Sequence, residues 1–168
     1  MSSKTHEDLR LRLAALDSMT ESQRAAVLIE VGWERLGQPT PGLLPFLEDP
    51  ALLVRISAAQ ARWQTAGNPE ELDRLVGILV EGLCSEDEDL ALAAGTALVQ
   101  MEEPAVAPLI HSFQTSGENE TRIVRVLGEI GGPEAVKFLE EAARSDHSEV
   151  AEEAREALLE LAEEMEGA

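Results

Sequence analysis

The chain has 168 residues, 44% hydrophobic but only 3% aromatic with no tyrosine, and a formal net charge of −20. That length suits one domain or a short array of about five repeats, and that charge repels phosphate backbones, arguing against nucleic acid and anionic membranes as partners. Cys84 is the only cysteine, so no internal disulfide can form; no apolar run approaches 18 residues and no hydrophobic stretch follows a basic N-terminus, so neither a membrane span nor a signal peptide is expected and the expected location is cytoplasmic.

In chain order, the apolar spacing predicts helices near 4–17 and 20–35, the second opened by a capping box, Thr20-Glu21-Ser22-Gln23. A shorter turn is expected near 42–48. Asp49-Pro50 reads as the cap and first residue of a helix over 50–65. Asn68-Pro69-Glu70-Glu71 supplies a cap, a proline at the first position and a carboxylate at the third for a helix over 69–83. A further box, Ser85-Glu86-Asp87-Glu88, opens 86–100, and helices over 104–115, 119–130 and 133–144 follow. The last, 147–165, carries Val150, Ala154, Ala157, Leu158, Leu161 and Met165 on one stripe, with Asp146 and Glu149 as its capping pair. Strand-like alternation is missing. Short connections force antiparallel neighbours, and the expected fold is all-α.

The punctuation repeats. Gly37-Gln38-Pro39 and Gly67-Asn68-Pro69 each follow a tryptophan, Trp33 or Trp63, by four residues, and the phrase returns at Glu102-Glu103-Pro104 and Gly131-Gly132-Pro133. The proline steps are 30, 35 and 29. A period of about 30 marks a solenoid, whose units bury their apolar faces by stacking. Ala61, Ala97, Val126 and Ala157 recur at steps of 36, 29 and 31, where a small side chain lets helices approach closely. Trp33 and Trp63 are expected to fill equivalent sites between repeats.

Asp49-Pro50-Ala51-Leu52-Leu53-Val54-Arg55, with Ala58-Ala59 and Ala61, resembles the second helix of a HEAT repeat. Leu127-Gly128-Glu129-Ile130-Gly131-Gly132-Pro133-Glu134-Ala135-Val136, with Phe138-Leu139, is similar to the turn and first helix of HEAT-like repeats in phycobilin lyases and many bacterial proteins. Related units cover 20–48 and 86–115, and 146–165 resembles a closing half-repeat. The resemblance implies an α-solenoid, or superhelix, of about five HEAT-like hairpins over 20–168, with 1–19 as an N-terminal capping helix. It also implies that the second helix of each pair (20–35, 50–65, 86–100, 119–130 and 147–165) lines a concave side.

Seven of the eleven arginines fall on those helices: Arg24, Arg35, Arg55, Arg62, Arg122, Arg125 and Arg155. They can fork onto a partner's carboxylates or neutralise nearby glutamates. The family's Asp/Arg ladder implies that Arg55 pairs with Asp49, although Ala91 and Ala151 interrupt it later. The final helix presents Glu149, Glu152, Glu153, Glu156, Glu160, Glu163 and Glu164, whose like-charged i,i+4 pairs each cost roughly 0.2–0.5 kcal/mol. A cationic partner would relieve that repulsion; alternatively the face is a polar cap that ends the array.

No phosphate-cradling loop, nucleophile elbow or Cys/His metal motif occurs. The acidic turn at Ser85–Asp89 lacks spaced calcium ligands. His6, His111 and His147 are dispersed, and of the His-Glu pairs of HEAT-like di-iron hydroxylases only His6-Glu7 has a counterpart. Cys84 ends an apolar helix and reads as packed. The expected function is therefore a non-catalytic protein-interaction module or adaptor without cofactor or metal, a monomer or weak homo-oligomer binding another protein, with the acidic charge favouring a basic one. Its candidate partner-binding residues are Arg55, Arg62, Arg122, Arg125, Arg155, Glu152, Glu153 and Glu156. Two alternatives remain: an acidic inhibitor or immunity-type protein that neutralises a basic enzyme such as a nuclease, and a chromophore-lyase-like enzyme or accessory subunit.

Overall fold

Helix-forming segments separated by capping and turn residues dominate the chain, and the architecture follows from them. The computed structural model describes residues 3–34, 41–67, 69–116 and 119–167, and among these every regular element is helical. The α-helices are α1 (Ser3–Ala14), α2 (Glu21–Trp33), α3 (Leu52–Ala66), α4 (Leu72–Leu83), α5 (Glu88–Val99), α6 (Val106–Ser116), α7 (Glu120–Ile130), α8 (Gly132–Ala142) and α9 (Ser148–Gly167). Short 3-10 helices at Leu16–Ser18, Pro41–Glu48, Pro69–Glu71 and Glu103–Ala105 connect or prefix them. Two compact units result, residues 1–82 and 83–168.

In the first unit α2 packs along α3, α1 lies on α2, and the 3-10 segment Pro41–Glu48 packs on α3. Leu9, Leu16, Leu28, Val31, Leu43, Leu47, Val54, Ala58, Leu75 and Leu79 are buried. A Cβ added to Gly32 would lie 3.0 Å from the Ala61 Cα, so the bare backbone of α2 is what lets α3 come this close. Ion pairs join the elements around this contact. Arg12 Nη1 donates to Glu30 at 2.7 Å, Arg24 Nη2 donates to Asp49 at 3.0 Å, and Arg74 and Arg55 pair with Glu48 and Glu81.

In the second unit α7 packs between α5 and α9, and α6 and α8 pack together as a second layer. Phe113 and Phe138 join that layer edge to face, with ring centroids 5.0 Å apart. Between the layers lie Ala94, Ala97, Leu98, Leu109, Ile123, Leu127, Leu139, Val150 and Ala154, all buried. A Cβ on Gly128 would stand 2.7 Å from that of Ala157, which repeats the Gly32–Ala61 device at the same 29-residue offset. The recurring small residues Ala61, Ala97, Val126 and Ala157 are all buried, as their spacing implies.

Several local expectations need correction. The Thr20–Gln23 capping box is present, but α5 begins at Glu88 with Asp87, not Ser85, as its cap; Asp87 accepts from the amides of Asp89 and Leu90. Ala51, not Asp49, holds the cap position of α3, and the Asp49 carboxylate accepts from the Ala51 amide at 2.9 Å. Pro69 opens a 3-10 turn before α4, α9 starts at Ser148, and α1 stops at Ala14. The expected Arg55–Asp49 pair is replaced. Arg24 takes the Asp49 carboxylate, while Arg55 donates to the backbone carbonyls of Asp49 and Pro50 and pairs with Glu81. Trp33 does not pack between repeats: it is 73% exposed, whereas Trp63 is half-buried. Arg35, the Gly37-Gln38-Pro39 turn and the Asn68 cap lie outside the described residues.

Candidate partner-binding face

Three helices of the second unit present side chains at one-turn spacing toward the same side. On α5 these are Glu88, Ala91, Leu92, Gly95 and Thr96; on α7, Arg122, Arg125, Val126 and Glu129; on α9, Glu153, Glu156, Ala157 and Glu160. Residues three, four and seven apart share a helix face, so each helix contributes one stripe. The α5 and α7 stripes, with Leu83 at the end of α4, enclose a cleft of about 250 Å³. The α7 and α9 stripes line a second of about 350 Å³. Arg125 and Glu129 line both, so the two clefts lie side by side.

Their characters differ. Leu83, Leu92, Gly95 and Val126 give the first an apolar lining, and Leu92 is 71% exposed, with most of its side chain in solvent. The second is lined by Arg125, Ala157 and four glutamates: Glu129, Glu153, Glu156 and Glu160.

Both arginines of the face are committed to neighbours. Arg125 Nε donates to Glu153 at 2.7 Å and its Nη2 to the other carboxylate oxygen at 3.0 Å, a bidentate pair. That hydrogen bonding raises the Arg125 pKa against the opposing effect of burial, and the charges of Glu153, Glu129 and Glu156 add to the rise. Arg122 Nη1 donates to the carbonyls of Leu83 and Ser85 at 2.6 and 2.8 Å, satisfying acceptors left open at the end of α4. Glu88, Glu129, Glu156 and Glu160 are exposed. The balance is five carboxylates against two guanidiniums.

Of the candidates read from sequence, Arg122, Arg125, Glu153 and Glu156 come together here. Glu152 is exposed on α9 beside the face, and Arg155, also on α9 and exposed, donates to the Ala143 carbonyl at 2.8 Å. Arg55 and Arg62 belong to the first unit. Arg62 is only 6% exposed and grips Glu71 through two hydrogen bonds, at 2.7 and 2.9 Å. Sequence reasoning missed Leu92, Glu88 and Glu129. The available signal was that Leu92 stands off the buried stripe of α5 formed by Ala94, Ala97 and Leu98.

Among the described residues no group of three or more His, Cys, Asp or Glu is placed to hold a metal ion, and no helix is long and apolar enough to cross a membrane. Cys84 is half-buried. A family model described as HEAT repeats matches residues 78–159, a span that includes α5 to α8 and most of α9. No curated protein matches the chain.

Proposed function

Residues 78–159 belong to the HEAT-repeat family, whose repeats generally mediate protein–protein interaction, and from that premise we propose a non-catalytic adaptor that holds another protein against the α5–α7–α9 face. The observation that carries this reading is the pair of adjoining clefts on that face, with Leu92 on their rim and 71% exposed. An exposed apolar anchor ringed by polar groups is the usual anatomy of a protein-binding surface. We place the protein in the cytoplasm as a monomer or weak homo-oligomer.

Affinity capture from native lysate on the wild-type chain and on Leu92→Asp, compared by quantitative mass spectrometry, tests the reading. It expects at least one protein held by wild type and lost from the variant. An identical bound set on both would overturn it.

The excess of glutamate favours a second reading, an acidic inhibitor of a basic enzyme. It requires that the captured protein be an enzyme whose turnover stops on binding, in a complex that weakens as salt rises.

A further inference from the structure

We propose that the occupant of the α5–α7–α9 face is a cationic amphipathic helical segment of another protein, seated with an apolar side chain beside Leu92 and with lysine or arginine over the α7–α9 cleft. This deepens the protein-binding reading and rests on it. The apolar cleft between α5 and α7 supplies the docking site, and charge complementarity selects the occupant.

Leu83, Leu92, Gly95 and Val126 form an apolar recess, and Gly95 keeps it open because a Cβ there would meet Leu83 at 3.5 Å and Val126 at 3.8 Å. An apolar side chain entering this recess removes itself and the exposed Leu92 from water together.

Directly beyond Arg125 and Glu129 the lining turns acidic. Arg125 is tied to Glu153 by two hydrogen bonds, and Arg122 is bonded to carbonyls at the end of α4 and the following turn. Arg125 is the cation of the second cleft, and its charge is already matched by Glu153; Arg122 does not line that cleft. Glu129, Glu156 and Glu160 therefore set the sign of the second cleft. An acidic segment would meet like charge there, and a neutral one would leave unrelieved the repulsion between Glu156 and Glu160, which stand four apart on α9. A cationic side chain removes it. Because the clefts share Arg125 and Glu129, the anchor and the cation must sit close together on the ligand, as neighbours one turn apart on an amphipathic helix do.

Fluorescence anisotropy provides the test. The probe is a labelled helical peptide of about 18 residues built from Leu, Ala and Lys, and the comparison peptide carries Glu in place of Lys. The Lys peptide should bind wild type, more weakly as salt rises, and the Glu peptide should not. Leu92→Ser should weaken binding by about fivefold with the salt dependence retained, a loss expected for an apolar contact. Glu156→Gln combined with Glu160→Gln should weaken it by a similar factor and flatten the salt dependence. Leu11→Ser, at an exposed leucine of the first unit, should change nothing.

The proposal is overturned if the Lys peptide fails to bind at low salt, if the Glu peptide binds as tightly, or if the face variants stay within about twofold of wild type. Dimerisation lost in Leu92→Ser would assign the face to a second copy of this chain and also overturn it. If the peptide result is negative while protein capture from lysate still depends on Leu92, the cationic occupant fails and the broader binding role stands.

Discussion

Glu102 holds the backbone conformation that Gly131 holds 29 residues later: φ 57° and ψ −147° against φ 67° and ψ −154°. Each lies two residues before a proline, at the junction from one helix of the α5–α7–α9 layer to the next helix of the α6–α8 layer. Glycine enters this region freely, whereas a residue with a Cβ is strained there. Glu102→Gly should therefore stabilise the protein by about 1 kcal/mol, raising the melting temperature by about 3 °C. Thermal unfolding of the two proteins checks this, and a variant no more stable than wild type would contradict it.

The close approach of α7 to α9 predicts a steric cost. In Gly128→Ala the new methyl would meet the Ala157 Cβ at 2.7 Å, so the helices must separate, at about 2 kcal/mol. Gly77→Ala in α4 is the control. Nothing lies within 4 Å of its added Cβ, and the gain in helix propensity should stabilise by about 0.8 kcal/mol. Pairing Gly128→Ala with Ala157→Gly should recover part of the loss, a coupling that urea titration of the double-mutant cycle reads directly.

The pair formed by buried Arg62 and half-buried Glu71 predicts a pH dependence. Hydrogen bonds from Arg62 hold the Glu71 carboxyl below its ordinary range, against the opposing effect of burial, and the charges of Arg62 and Arg74 lower it further. A carboxylate depressed on folding contributes its full stability above its unfolded pKa of about 4.3, and that stability is lost as pH falls through the lower folded value. Glu71→Gln leaves the buried guanidinium without its counter-charge and should cost roughly 3 kcal/mol at neutral pH. The gap between wild type and variant should stay constant down to about pH 5 and narrow below about pH 4. Denaturant titrations across that range measure it.

Much of this architecture is legible in the chain. Helix periodicity and recurring turn phrases mark the elements, because burying a stripe and stopping a helix both leave residue-level signatures. Caps are less legible where two candidates compete. In Ser85-Glu86-Asp87-Glu88 both Ser85 and Asp87 can accept from amides ahead of them, and only the fold shows Ser85 receiving the Asp87 amide while Asp87 caps α5. Trp33 misled for a related reason. Gly32 occupies the face of α2 that meets Ala61, so the next residue, about 100° round the helix, turns outward.

The binding face was half legible. Charge marked the glutamates of α9, but an arginine count could not show which guanidiniums were already tied to carbonyls or carboxylates. Leu92 was overlooked because α5 is rich in alanine, which masks the contrast between its faces; the signal lay in Glu88 and Thr96, one turn to either side of Leu92, which mark the outward face.

The most direct measurement is site-specific photo-crosslinking in native cells, with the reactive residue placed in turn at 92, 96, 129 and 156 and, for comparison, at 137 and 140 on α8. The account predicts that one and the same partner protein is joined from the first four positions and not from α8. Crosslinks to a partner confined to α8, with positions 92 to 156 of the α5–α7–α9 face silent, would contradict it.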